Sequence, residues 1–67
     1  MKIFSERLRE SLGLKSISQS ELAKRVGVAR NTITGYCNGK HEPSLEILAK
    51  ICKAINETSD YLIGLVD

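Results

Sequence analysis

Apolar residues recur every three or four positions along most of this chain, a spacing that places them on one face of an α-helix. Phe4, Leu8 and Leu12 repeat every four residues, so the pattern predicts a first helix from Lys2 to Leu12. Gly13 is expected to end this helix, because glycine commonly follows the last helical turn. The next four residues are expected to form a connector.

A capping signal marks the start of a second helix, which is predicted over Gln19–Val26. Ser18 and Glu21 have the spacing of a capping box, in which each side chain accepts a hydrogen bond from the backbone amide of the other. Gly27 is expected to end the helix with a positive φ, which glycine adopts readily because it has no Cβ atom.

Similar signals predict three further helices. The third is expected over Arg30–Cys37, closed by Asn38 and Gly39, and the fourth over Leu45–Ile55, capped by Ser44. A short fifth helix is expected to follow its cap Thr58 and to run through Tyr61, Leu62 and Ile63. The face of the fourth helix that is expected to be buried comprises Leu45, Leu48, Ala49, Cys52 and Ile55. The chain is therefore predicted to be all-α, with five helices.

The second and third helices are joined by only three residues, so they must cross steeply, at roughly 90–120°. Their backbones then approach closely, and Ala23 is the small residue expected at the crossing. Val28 and Ile33 are expected to fill the wedge between the two helices, and Tyr36 to join the core. The segment from about 18 to 38 is thus predicted to be a helix-turn-helix.

A chain of 67 residues is long enough for one domain, so residues 1–67 are expected to form a single unit. No apolar run approaches the roughly 20 residues needed to cross a bilayer. The N-terminal segment also lacks the apolar core of a signal peptide. We therefore expect no membrane contact, and a cytoplasmic location.

The net charge of +2 is unevenly distributed along the chain. Residues 22–41 carry four basic and no acidic side chains, whereas residues 42–67 carry two basic and five acidic ones. A positive middle segment favours contact with phosphates, although an uneven solvated surface would have the same pattern.

Candidate catalytic and metal-binding residues are few. Cys37, Cys52 and His41 offer too few ligands for a zinc site, so the cysteines are interpreted as small apolar side chains in a reducing compartment. The chain has no phosphate-binding glycine loop and no nucleophile paired with a base. We expect no enzymatic activity, no metal, no cofactor and no small-molecule ligand.

Several segments together resemble one known family. They are Ser18–Ala23, Gly27–Ala29, Thr32–Tyr36 with Asn38–Lys40, Glu42–Glu46 and Ser59–Gly64. These segments cover nearly the whole chain and look like the phage repressor and Cro-like (Xre-type) regulators. The resemblance implies a five-helix, lambda-repressor-like domain whose third helix reads the sequence of double-stranded DNA.

The resemblance also implies a role for individual positions. The residues that would face the bases are Ala29, Arg30, Asn31 and Thr34. The residues that would contact phosphates are Gln19, at the start of the second helix, and Asn38, Lys40 and His41. Arginine can bond guanine and asparagine can bond adenine through two hydrogen bonds each.

The chain departs from the family in three ways. The family often pairs an arginine late in the first helix with a glutamate in the third, and alignment on Gln19 places Leu12 and Cys37 there. Because both charges would be missing together, we expect these two side chains to lie in or near contact. Ala29 lacks the hydroxyl usual at this helix start. Gly35 either permits close approach of the DNA backbone or simply lacks a contact.

A domain of this size reads few base pairs, so two copies on half-sites about one helical turn apart are expected. The expected homodimer surface is Ile63, Leu65 and Val66, with exposed parts of the last two helices. These residues could instead seal the domain's own core. We expect a transcriptional repressor that binds an inverted-repeat operator. The alternative is an antitoxin-like or other protein-interaction module of the same fold, with weak DNA specificity.

Overall fold

The regular structure of the chain consists of five α-helices and no strand, in a computed structural model that describes residues 1–67. The helices are α1 (Lys2–Lys15), α2 (Gln19–Val26), α3 (Arg30–Cys37), α4 (Leu45–Ile55) and α5 (Ser59–Leu62). The predicted five-helix, all-α fold is confirmed. None of the helices combines the length and the hydrophobicity needed to cross a bilayer.

Hydroxyl side chains start three of the helices, as the sequence predicts. The bonds run from the amide of Glu21 to Ser18 Oγ (3.0 Å), from that of Ile47 to Ser44 Oγ (3.2 Å) and from that of Tyr61 to Thr58 Oγ1 (3.1 Å). The predicted capping box of α2 is only half formed, because the Glu21 carboxylate pairs with Arg25 at 3.3 Å instead of turning back to Ser18. Gly27 ends α2 with φ of 86°.

The prediction that α1 ends at Leu12 is wrong by three residues. The helix continues through Gly13 to Lys15 and closes at Ser16, which has a left-handed φ of 56°. An exposed glycine inside a helix costs only about 0.5–1 kcal/mol relative to alanine, which does not stop a helix that is anchored by buried residues. Leu14 therefore belongs to α1 rather than to a connector, and 86% of its surface is exposed.

The core is one cluster to which every helix contributes. Its buried members are Phe4, Leu8, Leu12, Leu22, Ala23, Val26, Ile33, Tyr36, Cys37, Ile51, Ile55 and Leu62. The α2 helix packs against both α3 and α4, and α1 covers α3 and α5. Every buried side-chain nitrogen and oxygen atom has a hydrogen-bond partner. The burial of α2 between two neighbours fixes the orientation of α3, which carries the candidate site.

The face of α4 that enters the core matches the predicted one in part, because Ile55 is buried and Leu48 and Cys52 pack half-buried against the core. Ile51 and Ile55 are buried, whereas Leu45 is 85% exposed and Ala49 is also exposed. Two overlapping apolar stripes on this helix both fit helical spacing, so periodicity alone does not select one. Packing against α2 centres the buried face on Ile51 and leaves Leu45 and Ala49 on the surface.

Candidate nucleic-acid interface

The turn between α2 and α3 is held by its own backbone. The amides of Gly27 and Val28 both donate to the carbonyl of Ala23, at 2.8 and 3.0 Å. These bonds close α2 and reverse the chain within three residues, with Ala23 buried at the crossing and Val28 packed against the core. The turn thus directs the first residue of α3, Arg30, away from α2.

The start of α3 protrudes into solvent. Arg30 and Asn31 are both exposed, and neither side chain makes a hydrogen bond or an ion pair within the chain. The opposite face of α3 is held in the core by Ile33, which is completely buried, and by Tyr36, whose ring meets that of Phe4 edge-on at 6.5 Å. The helix therefore offers one anchored face and one free polar face.

Ala29 occupies the N-cap position of α3 without a side-chain bond, as the sequence predicts. It is exposed, and its methyl group lies beside the free first turn of the helix. Without a hydroxyl at this position, the first amides of α3 rely on bonds such as that from Thr32 to the Ala29 carbonyl (3.0 Å). The remaining amides are open to an external acceptor.

A hydrogen bond joins the first residue of α2 to the middle of α3. The hydroxyl of Thr34 donates to Gln19 Oε1 at 2.7 Å, and both residues are half-buried. This bond occupies the oxygen of the glutamine amide and leaves its Nε2 group free to donate outward. It also occupies the Thr34 hydroxyl, so the group that Thr34 offers to a ligand is its methyl.

The loop after α3 returns along the same helix. Its backbone is fixed by the bond from the Lys40 amide to the Gly35 carbonyl (2.9 Å), and Gly39 has a positive φ of 72°. Asn38, Lys40 and His41 are all exposed. The candidate phosphate-binding residues of this loop are therefore exposed, and the backbone of the loop is held against α3.

His41 lies against α3 at the position of Gly35. A Cβ atom placed on Gly35 would come within 2.2 Å of His41 Cε1. The imidazole also meets the Tyr36 ring edge-on at 5.0 Å and has its Nε2 atom 3.3 Å from the carbonyl oxygen of Thr32. Sequence reasoning missed this contact, although a glycine inside a short helix followed six residues later by the only histidine was a signal for it.

An arginine of α1 reaches the end of α3, although not from the position that alignment on Gln19 indicates. The guanidinium of Arg9, one turn before Leu12, donates to the carbonyl oxygen of Cys37. Alignment back from Gln19 missed Arg9, because it assigns the arginine position of the family to Leu12, three residues later. Leu12 and Cys37 are buried in the same core cluster.

Burial also sets the chemistry of the Cys37 thiol. Desolvation raises its pKa above the ordinary value, and the nearby positive charge of Arg9 partly opposes this effect. Cys37 and Cys52 are both unpaired, and no group of three or more potential metal ligands is present.

The other two cations of the middle segment, Lys24 and Arg25, belong to α2. Arg25 donates to the carbonyl of Ala54 at 2.9 Å and pairs with Glu21, so it joins α2 to the end of α4. Lys24 is exposed on α2 and has no ion-pair partner. The positive charge on the free face of α3 and its loop therefore comes from Arg30 and Lys40.

The C-terminal segment is fastened to α1 with its apolar side chains outward. Arg7 donates to the carbonyls of Tyr61 and Val66, and its guanidinium lies 4.6 Å from the centre of the Tyr61 ring. Leu65 and Val66 are 70% and 50% exposed. The backbone of this segment is thus fixed, while the side chains predicted to form a dimer surface face solvent.

Ile63 differs from these two residues because it is half-buried and faces a groove of about 250 Å³. The residues that line the groove are Met1, Phe4, Glu42, Pro43, Leu45, Leu48 and Ile63. Ile63 therefore shares this groove with Leu45 and Leu48 of α4.

Comparison with known proteins places the chain in a family. The helix-turn-helix family model matches residues 6–62. The HTH-type transcriptional regulator for conjugative element R391 of Providencia rettgeri is 37% identical over 62 residues, which cover 92% of this chain and 28% of that protein. An uncharacterized HTH-type transcriptional regulator of Archaeoglobus fulgidus is 44% identical over 50 residues, 75% of this chain and 70% of that protein.

An uncharacterized regulator of the same type from Bacillus subtilis, YobD, is 26% identical over 65 residues, 97% of this chain and 58% of that protein. The chain thus spans little more than a quarter of the length of the conjugative-element regulators. No solved structure matches it significantly. The family match, the geometry of α2 and α3 and the free polar face agree, and the chain therefore belongs to the phage repressor and Cro-like (Xre-type) helix-turn-helix family of DNA-binding transcription regulators.

Proposed function

We propose that this chain binds double-stranded DNA sequence-specifically by placing the start of α3 in the major groove. The observation that carries the proposal is the free first turn of α3. Arg30 and Asn31 are exposed there and make no bonds within the chain, whereas the opposite face is anchored by Ile33. An α-helix fits the major groove, and unengaged donors at its start can bond base edges.

The proposed base contacts differ in kind. Arg30 has the fork of donors that matches guanine O6 and N7, and Asn31 has the donor and acceptor that match adenine N6 and N7. Ala29 and Thr34 offer methyl groups to the methyl of thymine, because the Thr34 hydroxyl already donates to Gln19. The site thus combines two polar and two apolar contacts.

The proposed phosphate contacts border α3 on two sides. Gln19 offers its free amide Nε2 at the start of α2, where the helix dipole also favours an anion. Asn38, Lys40 and His41 offer donors from the loop that returns along α3. These contacts would set the register of α3 on the duplex and would be independent of sequence.

We further propose that two copies bind an inverted repeat and repress transcription. The proposed dimer surface contains the exposed Leu65 and Val66 and the half-buried Ile63. It continues onto α4 through the exposed Leu45 and Ala49. A group of exposed apolar side chains of this kind is typical of a surface that is buried against a partner. The groove that Ile63 and Leu45 line adds a concave element that a second copy can fill.

Selection of bound duplexes from a random pool tests the proposal. We expect enrichment of an inverted repeat, and we expect Arg30→Ala to relax the preference at one position of each half-site by about 1–3 kcal/mol. Lys24→Ala is the matched control, because Lys24 is an exposed, unpaired cation of the same helix-turn-helix and should leave the selected sequence unchanged. Absence of any enriched sequence would favour the protein-interaction module.

A further inference from the structure

The imidazole of His41 fills a place on α3 that a side chain at position 35 would otherwise occupy. Any Cβ atom on Gly35 would overlap His41 Cε1, at 2.2 Å, and would approach both ring nitrogens within 3.0 Å. Gly35 itself is buried although it has no side chain, whereas His41 is exposed. The outer surface of α3 at this point is therefore made by the loop histidine.

The hydrogen bonding of this ring depends on its protonation. Nε2 lies 3.3 Å from the Thr32 carbonyl oxygen, which can only accept, so this nitrogen carries a hydrogen. In the neutral ring Nδ1 is then an acceptor and cannot bond a phosphate oxygen. In the protonated ring Nδ1 becomes a second donor and the ring gains a positive charge, and both changes favour a phosphate.

No free carboxylate lies beside the ring to stabilise its protonated form. The Tyr36 ring meets it edge-on, and α3 carries no acidic residue, its only charged side chain being Arg30. In the loop, Lys40 precedes His41, and the carboxylate of Glu42 is paired with the amino group of Met1 at the start of α1. A DNA phosphate would therefore be the anion that favours the protonated ring.

We infer that His41 is a proton-linked phosphate contact of this chain, and that Gly35 is a glycine because the imidazole must lie against α3. The inference rests on the proposed function, since it requires that α3 and its loop face DNA. Binding then takes up a proton at His41, and the affinity for DNA rises as the pH falls.

The pH dependence of DNA binding is the test. The probe is a fluorescent duplex of mixed sequence and about 30 base pairs, titrated at constant ionic strength because phosphate contacts depend steeply on salt. We expect affinity to rise about threefold to tenfold from about pH 7.5 to about pH 5.5 in the parent chain. In His41→Gln, which keeps an amide donor but cannot gain a proton, that rise should disappear.

Two glycine variants test whether the pH-dependent gain requires the imidazole to lie against α3. Gly35→Ala keeps the histidine but displaces it from α3, so the pH-dependent gain should be reduced as in His41→Gln. Gly13→Ala is the control, because Gly13 is also helical and a Cβ atom there would meet nothing within 4 Å. Circular dichroism at both pH values verifies that each variant is folded.

The outcomes distinguish this inference from the proposed function. Tight binding with no change between the two pH values, or an equal gain in the parent and in His41→Gln, would overturn the inference and leave the proposed function standing. A full pH-dependent gain in Gly35→Ala would overturn the role assigned to Gly35. Failure of the parent chain to bind the mixed-sequence duplex at either pH, together with no enriched sequence in the selection, would overturn both proposals.

Discussion

Single side chains hold α3 in place at two points. Arg9 binds the carbonyl of Cys37 at the C-terminal end of the helix, where a positive charge also complements the helix dipole. Gln19 accepts a hydrogen bond from Thr34 near its middle. Because these two contacts come from different helices, they fix the tilt of α3 independently of its buried face.

The contact of Arg9 can be removed with little change in side-chain volume. Arg9→Met should lower the free energy of unfolding by about 1 kcal/mol, because the variant loses a hydrogen bond from a charged group to a carbonyl at a helix end. Urea denaturation measures the change. Lys24→Met is the control, since Lys24 is exposed and has no ion-pair partner. Equal stability of the two variants would show that the Arg9 contact contributes nothing.

At the level of helices, the start of α3 is less stabilised than the starts of α2, α4 and α5. Ser18, Ser44 and Thr58 each accept a backbone hydrogen bond, whereas Ala29 accepts none through its side chain. The uncapped first turn is the part of the chain proposed to meet DNA. Its open amides and small side chain leave room for close approach of the duplex.

A restored cap should stabilise the protein. Ala29→Ser should raise the free energy of unfolding by about 1 kcal/mol, which corresponds to a rise in Tm of about 4–8 °C for a domain of this size. Ser18→Ala, which removes the cap of α2, should produce a change of similar size in the opposite direction. Thermal denaturation followed by circular dichroism compares the two. An unchanged Tm in Ala29→Ser would refute the capping argument.

Helix starts could be predicted from the sequence because their signals are local. Ser18, Ser44 and Thr58 lie within three residues of the amides that they bond. The end of α1 could not be predicted, because a glycine inside a helix does not by itself end it and Ser16, not Gly13, takes the left-handed closing position. The buried face of α4 depends on packing against α2, and the contact of His41 with Gly35 depends on the path of a loop. Such features arise only from the assembled fold.

At the scale of the whole molecule, size and shape suit a pair of copies on DNA. The chain measures 28 × 23 × 20 Å, and major grooves on one face of DNA recur about every 34 Å. Two copies in contact can therefore place their α3 helices in successive grooves. The exposed apolar residues Leu45, Leu65 and Val66 favour such a contact.

A charge on this surface should weaken association. Leu65→Asp should lower the weight-average mass in sedimentation relative to the parent, because a carboxylate would be buried in the dimer interface. Leu14→Asp is the matched control, since Leu14 is an equally exposed leucine near the C-terminal end of α1, outside the proposed surface. Monomeric behaviour of the parent and of both variants would reject this dimer surface at the concentrations used.

The most direct test of the account is an NMR titration of the isotope-labelled chain with duplex DNA that contains the selected sequence. We expect the largest changes in amide signals at Arg30 and Asn31, with smaller changes at Gln19 and the loop after α3. Signals near Leu14 should stay in place. Changes confined to α4 and α5, with the start of α3 unaffected, would contradict the central claim that α3 enters the groove.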